Sequence, residues 1–147
     1  PELHAAPLAQ AARCRASLLA HVQAGRAVWA ECGGMMPLFD QLVTGDGEVH
    51  AMWGLLPGRV SLQQRLAALG PQQLALPQGV LRGHTFHYSL CDTPLEPTAW
   101  TEPAKGGAGR RGEAVYRSGS LRASYFHAWF ASSPEAAASL FLAGAPA

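Results

Sequence analysis

The chain of 147 residues is long enough for one domain and too short for two ordinary ones. With 48% hydrophobic and 14% charged residues it supports a real core, which argues against wholesale disorder. A formal net charge of +1, from 11 basic and 10 acidic residues with Lys105 the only lysine, argues against a dedicated nucleic-acid binder, whose affinity rests on a basic surface field.

Residues 8–24 place Leu8, Ala11, Ala12, Leu18, Leu19 and Val22 at helical spacing, with Gly25 as a stop. Ala27-Val28-Trp29-Ala30 is a short apolar run of the length of a buried strand, bounded by Gly25 and by Gly33-Gly34. Met35 to Phe39 with Leu42 predicts a helix that carries Pro37 in its first turn. Helix, strand, tight turn, helix is an α/β pattern.

Thr44-Gly45-Asp46-Gly47 reads as a turn and Glu48 to Leu62 as extended chain. Ser61 to Leu69 predicts a short helix ending at Gly70-Pro71, and Leu74-Ala75-Leu76 a piece of strand. Val80 to Leu90, rich in aromatic and β-branched residues, predicts a strand. Residues 92–112, with their prolines and Gly106-Gly107-Ala108-Gly109, read as a mobile loop within the domain. Glu113 to Arg117 and Ser120 to Phe130 form a hairpin pattern about Ser118-Gly119. Ser133-Pro134-Glu135 opens a short alanine-rich helix.

The cysteines, Cys14, Cys32 and Cys91, are odd in number and widely spaced, which suits a reducing compartment better than a disulfide framework. Neither a signal peptide nor an apolar run of about 18 residues is recognisable, so the expectation is a cytoplasmic protein without a membrane partner. A start at Pro1-Glu2 is what a piece of a longer protein would show, and what a processed chain would show too.

Ala30-Glu31-Cys32-Gly33-Gly34 is the most informative stretch. A cysteine between a buried strand and a helix start sits on a sharp, often strained turn that exposes its side chain. A helix N-terminus behind it supplies free N–H groups and partial positive charge, which favour a thiolate. Gly33 and Gly34 let a substrate approach the backbone, and the Gly33 N–H can hold an oxyanion. The same residues also suit a buried structural cysteine followed by a Gly-Gly turn, and they leave both readings open.

A thiolate nucleophile usually works with a base. His127, in Ser124-Tyr125-Phe126-His127-Ala128-Trp129-Phe130, faces away from Phe126 and Ala128 if the segment is a strand, and either a base or a histidine held in an aromatic cluster fits it. In Arg82-Gly83-His84-Thr85-Phe86-His87-Tyr88-Ser89, His84 and His87 fall on opposite faces of a strand. His87 lies on the more polar face, with Thr85 and Ser89, and is the pocket candidate. His4, His21 and His50 have no supporting context. With no CxxC pair and no shared face for two histidines, no metal site is expected. Gly106-Gly107-Ala108-Gly109 lacks the Lys-Ser/Thr of a phosphate loop.

Pro1-Glu2-Leu3-His4, Ala30-Glu31-Cys32-Gly33-Gly34-Met35-Met36, Arg82-Gly83-His84-Thr85-Phe86-His87-Tyr88-Ser89 and Ser124-Tyr125-Phe126-His127 occur in an order that resembles the C-terminal glutaminase domain of the cobyrinic acid a,c-diamide synthase family. The resemblance covers nearly the whole chain. It implies a flavodoxin-like class I glutamine amidotransferase sheet flanked by helices, over residues 1–147 and lacking its first strands. It assigns Cys32 as nucleophile, His127 as general base and Gly33 as an oxyanion donor. It implies glutamine hydrolysis that supplies ammonia for ATP-dependent amidation of the a and c carboxylates of cobyrinic or hydrogenobyrinic acid in cobalamin biosynthesis. ATP and Mg2+ would belong to a synthetase domain absent from this chain, and the corrinoid would be met through that domain. The isolated fragment is expected to be inactive, and its exposed sheet edges invite association into a homodimer.

Two positions depart from the family pattern. Thr85 stands where the family usually has glutamate, and Trp129 where a histidine often follows the base or, in many related enzymes, a glutamate orients it. Glu2, Glu31 and Asp40 are the candidates left for orienting His127. These departures support one alternative, a catalytically degenerate domain that serves binding or interaction. The related cobyric acid synthase, and a cysteine hydrolase of the same superfamily, are the others.

Overall fold

The computed structural model describes residues 2–105 and 109–142. Strands and helices are numbered along the chain. α1 (Ala5–Ala9) and α2 (Ala12–Gln23) lead into β1 (Val28–Glu31). β2 (Phe39–Val43), β3 (Val49–Ala51), β4 (Leu56–Leu62), β5 (Ala68–Leu76), β6 (Gly79–His87) and β7 (Ser89–Asp92) follow. Then come β8 (Ala99–Trp100), β9 (Glu102–Pro103), β10 (Ala114–Ser118), β11 (Leu121–Ser124), β12 (His127–Ala128) and α3 (Pro134–Ser139). The fold is mixed α/β, with short helices flanking the sheets.

The strands form three four-stranded sheets, ordered β1-β11-β10-β8, β12-β6-β5-β9 and β3-β2-β4-β7. β1 and β11 run parallel, with Glu31 opposite Ser124, and β2 and β4 are also parallel; the other pairings are antiparallel. One core gathers Ala30, Met35, Leu38, Phe39, Leu56 and Leu121. The other joins Leu74, Leu81, Val115 and Phe126 to Ala136 within α3 and Leu140 just beyond it. Each fully buried leucine here contributes about 1.5–3 kcal/mol of transfer free energy.

Four local expectations are corrected. The single helix of residues 8–24 is two, because the Ala12 N–H bonds the Gln10 carbonyl at 2.8 Å and breaks the run; the stop at Gly25, φ +71°, is as predicted. The predicted helix from Met35 is instead a 3-10 turn, Met36–Leu38, running into β2. Met35 to Phe39 are all buried, so an exposed helical face has no place there. The predicted helix of residues 61–69 is the end of β4, a turn and the start of β5. The β5–β6 ladder, from Ala68 opposite His87 to Leu76 opposite Gly79, overrides local helix propensity. The long strand read from Ser120 to Phe130 breaks at Tyr125 and Phe126, and its last piece, β12, joins a different sheet.

The loop of residues 92–112 is tied down over much of its length. Thr101 is fully buried and donates through its hydroxyl to Gln72 Oε1 at 2.9 Å. The Glu113 N–H donates to the same hydroxyl at 2.6 Å. Residues 106–108 of that loop lie outside the described residues.

Gly83 decides how closely β12 approaches β6. A Cβ there would run into the His127 carbonyl oxygen and lie 2.6 Å from Phe126 Cε2. Gly83→Ala is therefore expected to cost about 1–3 kcal/mol in urea unfolding, through overpacking against rigid backbone. Unchanged stability would show that β12 does not pack this closely.

Candidate active site

β1 delivers Cys32 at its C-terminal end. The backbone there turns through φ +44°, and Cys32 is the one non-glycine with positive φ among the described residues. Holding such a residue there costs about 1–3 kcal/mol, a strain that clusters at functional sites. The full helix expected behind Cys32 is absent. Cys32–Gly34 forms one 3-10 turn, closed by the Met35 N–H on the Cys32 carbonyl at 3.0 Å, so no long helix dipole points at the thiol. The thiol donates to the Phe86 carbonyl of β6 at 3.9 Å. Cys32, Gly33, Met36, Phe86, His87 and Ser89 line the pocket at this point. Gly34 is exposed and opens, with Gly33 and Glu31, onto an adjoining groove.

His127 reaches the same strand from the other side of the break. In the β12–β6 ladder it pairs with His84, and Ala128 pairs with Gly83. On the opposite side of β6, the Ala67 N–H donates to the His87 carbonyl at 2.9 Å. By strand alternation the Phe86 carbonyl points the other way, along the edge where β12 has stopped. The thiol and the imidazole thus meet one strand edge at positions two residues apart, about 7 Å along the chain.

The His127 ring lies flat on that of His84, with centroids 4.8 Å apart and planes 10° apart. Burial and then the His84 imidazole push the His127 pKa below its ordinary value; the Glu31 carboxylate opposes this, and His87 adds to the lowering. The imidazole is therefore neutral at pH 7 and able to take a proton. Among the carboxylates considered for orienting it, Glu31 is the one beside it. Its Oε1 accepts from Trp29 Nε1 at 2.6 Å and from the Ala128 N–H at 3.0 Å, fixing the backbone next to His127. Asp40 is committed elsewhere, accepting from the Gly58 N–H at 2.8 Å. The Glu2 side chain lies outside the described residues.

His87, the pocket candidate, is in the pocket wall but does not swing free. Its Nδ1 meets the Ser89 carbonyl at 2.8 Å and its Nε2 meets Glu113 Oε1 at 3.2 Å. The ring is thus held between two acceptors, a backbone carbonyl and a side-chain carboxylate. The ring stacks on Tyr125 at 3.7 Å, and the Tyr125 hydroxyl bonds Ser89 Oγ at 2.8 Å. Thr85 Oγ1 donates to the same Glu113 oxygen at 2.7 Å. A carboxylate therefore stands beside position 85 after all, supplied from just before β10. Burial pushes the Glu113 carboxyl up, but the hydrogen bonds from His87 and Thr85 and the His87 charge outweigh it and hold it below the usual range.

Glu113, Tyr125 and His84 are the neighbours of the site that sequence reasoning missed. The signal for His84 was present in its alternation with Phe86 and Tyr88, the open face of β6. Glu113 meets His87 across 26 residues and leaves no local signal. Cys91, by contrast, is half-buried, and burial raises its thiol to about 12. Among the described residues there is no group of three or more His, Cys, Asp or Glu side chains that could hold a metal ion. No helix among them is long and apolar enough to cross a membrane.

Residues 1–135 match the CobB/CobQ-like glutamine amidotransferase domain family. The chain is 49% identical over 141 residues to the cobyrinate a,c-diamide synthase of Herminiimonas arsenicoxydans, covering 96% of this chain and 32% of that protein. It is 48% identical over 140 residues to the hydrogenobyrinate a,c-diamide synthase of Stutzerimonas stutzeri, covering 95% and 32%. The enzyme of the same description from Pseudomonas aeruginosa is 47% identical, again over 95% and 32%. The chain thus spans about a third of the length of these curated relatives.

The Glu113 pair has a measurable pH signature. A carboxyl whose folded pKa is depressed stabilises the fold above its unfolded value, near 4.3, and that contribution fades as pH falls through the folded value. Glu113→Gln should lower unfolding free energy at pH 7 by about 1–3 kcal/mol, through the loss of charge-assisted bonds. The gap from wild type should shrink below about pH 4. A gap that is constant with pH would contradict a lowered Glu113 carboxyl.

Proposed function

The chain belongs to the CobB/CobQ-like glutamine amidotransferase domain family, and from that premise we propose that it hydrolyses glutamine at Cys32 to release ammonia for amide formation. The observation that carries this reading is the left-handed Cys32 at the end of β1, with its thiol on the β6 edge that also holds His127.

In the proposed reaction His127 takes the proton from the Cys32 thiol as sulfur attacks the side-chain carboxamide of glutamine. The new C–S bond forms as the C=O π pair moves onto oxygen. The Gly33 N–H, and Gly34 beside it, would hold that oxyanion, a contact worth about 3 kcal/mol per donor in comparable sites. His127 then returns the proton to nitrogen, the C–N bond breaks and ammonia leaves a γ-glutamyl thioester. Water attacks the thioester, giving its proton to His127; the C–S bond breaks, glutamate is released and the thiol is restored. His87, fixed between Ser89 and Glu113, would shape the pocket wall rather than exchange protons.

The named relatives make amides on a corrinoid, so the ammonia acceptor we infer is the a and c carboxylates of cobyrinic or hydrogenobyrinic acid. ATP and Mg2+ would activate those carboxylates on residues beyond the ones described, in the cytoplasm. No step above runs through either.

An electrophilic glutamine analogue tests the reading. In the full-length protein it should label Cys32 at least tenfold faster than Cys14 or Cys91. Cys32→Ala should abolish glutamine hydrolysis, and His127→Asn should lower it by two orders of magnitude or more. Full hydrolysis by Cys32→Ala would end the proposal.

A further inference from the structure

His84 has no part in the reaction just described, yet it touches its base. The ring is exposed, on the open face of β6, and it stacks on His127 at 4.8 Å with planes 10° apart. The ladder enforces the contact. His84 and His127 are register partners, Gly83 lets the two backbones close up, and the Trp129 N–H donates to the Arg82 carbonyl at 2.8 Å just beyond them. An exposed histidine with no tertiary demand on it is free to rotate; this one is held against a second imidazole.

We propose that His84 is a positioning residue for His127: its flat, stacked ring fixes the plane of the His127 imidazole toward Cys32 and disfavours a second positive charge beside it. The proposal deepens the glutaminase reading, and rests on it for the catalytic consequence.

The physical argument has two parts. Stacking holds the His127 ring in the plane set by His84, and a rotation about χ2 out of that plane would break the stack. Two imidazolium rings at this separation repel, so a proton on one ring discourages a proton on the other. The charged and titratable groups facing His127 are Glu31 from the end of β1 and His84 and His87 from β6. Glu31 favours the protonated ring and both histidines oppose it. His87 is held on Glu113, and His84 is the ring stacked directly on His127.

The test separates shape from charge. His84→Phe keeps a flat ring on His127 and removes the titratable group; His84→Ala removes both. Histidine NMR titrations of full-length wild type and both variants, with the His127 resonance identified by His127→Gln, read the charge effect directly. The His127 midpoint should rise by about half a pH unit in His84→Phe, roughly a fourfold gain in proton affinity. The acid limb of the glutaminase pH profile should move up with it, while the plateau rate stays within about threefold. His84→Ala should also lower the plateau rate by about tenfold, at unchanged thermal stability. If His84→Phe unfolds, His84→Gln replaces it for the titration.

An unshifted His127 midpoint in the uncharged variant would overturn the proposal, as would an alanine variant with full plateau activity. The NMR arm does not depend on turnover. A shifted midpoint in a protein without glutaminase activity would therefore retain the stack and discard the glutaminase reading.

Discussion

The β6 strand edge is the constraint on which the site depends. One flank of β6 is sealed by the long ladder to β5, from Ala68–His87 to Leu76–Gly79. The other is covered by β12 for only two residue pairs, His127–His84 and Ala128–Gly83. Where β12 stops, the Phe86 carbonyl remains, and the Cys32 thiol occupies it. Two residues separated by ninety-five positions in the sequence are thus brought to one place by backbone pairing rather than by flexible side chains. The left-handed turn at Cys32 is tolerated because β1 is fixed beside β11, opposite the chain that continues to His127.

Carboxylates brace this arrangement from two directions. Glu31 follows the buried Ala30 and reaches across to the Ala128 N–H, so the strand that carries the thiol also holds the strand that carries the imidazole. Glu113 holds His87 and Thr85 in the pocket wall. Neither occupies the position two residues after His127, where Trp129 instead lies exposed with the Arg82 guanidinium 5.6 Å from its ring. The site therefore keeps negative charge near its histidines although positions 85 and 129 carry none.

The part of this legible in the sequence was the part written locally. Ala30-Glu31-Cys32-Gly33-Gly34 announced a strand, a sharp turn and a cysteine on it, because apolar run and glycines are adjacent. Gly25 and the hairpin at Ser118-Gly119 were legible for the same reason. The false helices at residues 35–42 and 61–69 came from local propensity that burial and the β5–β6 ladder override. Thr85 read as a lost acid, since Glu113 meets it from 28 positions further along the chain. His84 was set aside because its neighbours on the strand face are aromatic, and its partner ring comes from a strand whose break at Tyr125 no periodicity marks. The family resemblance supplied His127, which residue spacing alone left open.

The account stands on the meeting of Cys32 and His127, and a crystal structure of the full-length protein trapped as its γ-glutamyl thioester measures it most directly. The acyl group should be bonded to Cys32 Sγ, with a His127 ring nitrogen within hydrogen-bond reach of the thioester carbon's incoming water and the carbonyl oxygen turned toward the Gly33 N–H. An acyl group on another residue, or a His127 ring turned away from Cys32 with solvent-filled space between them, would contradict it.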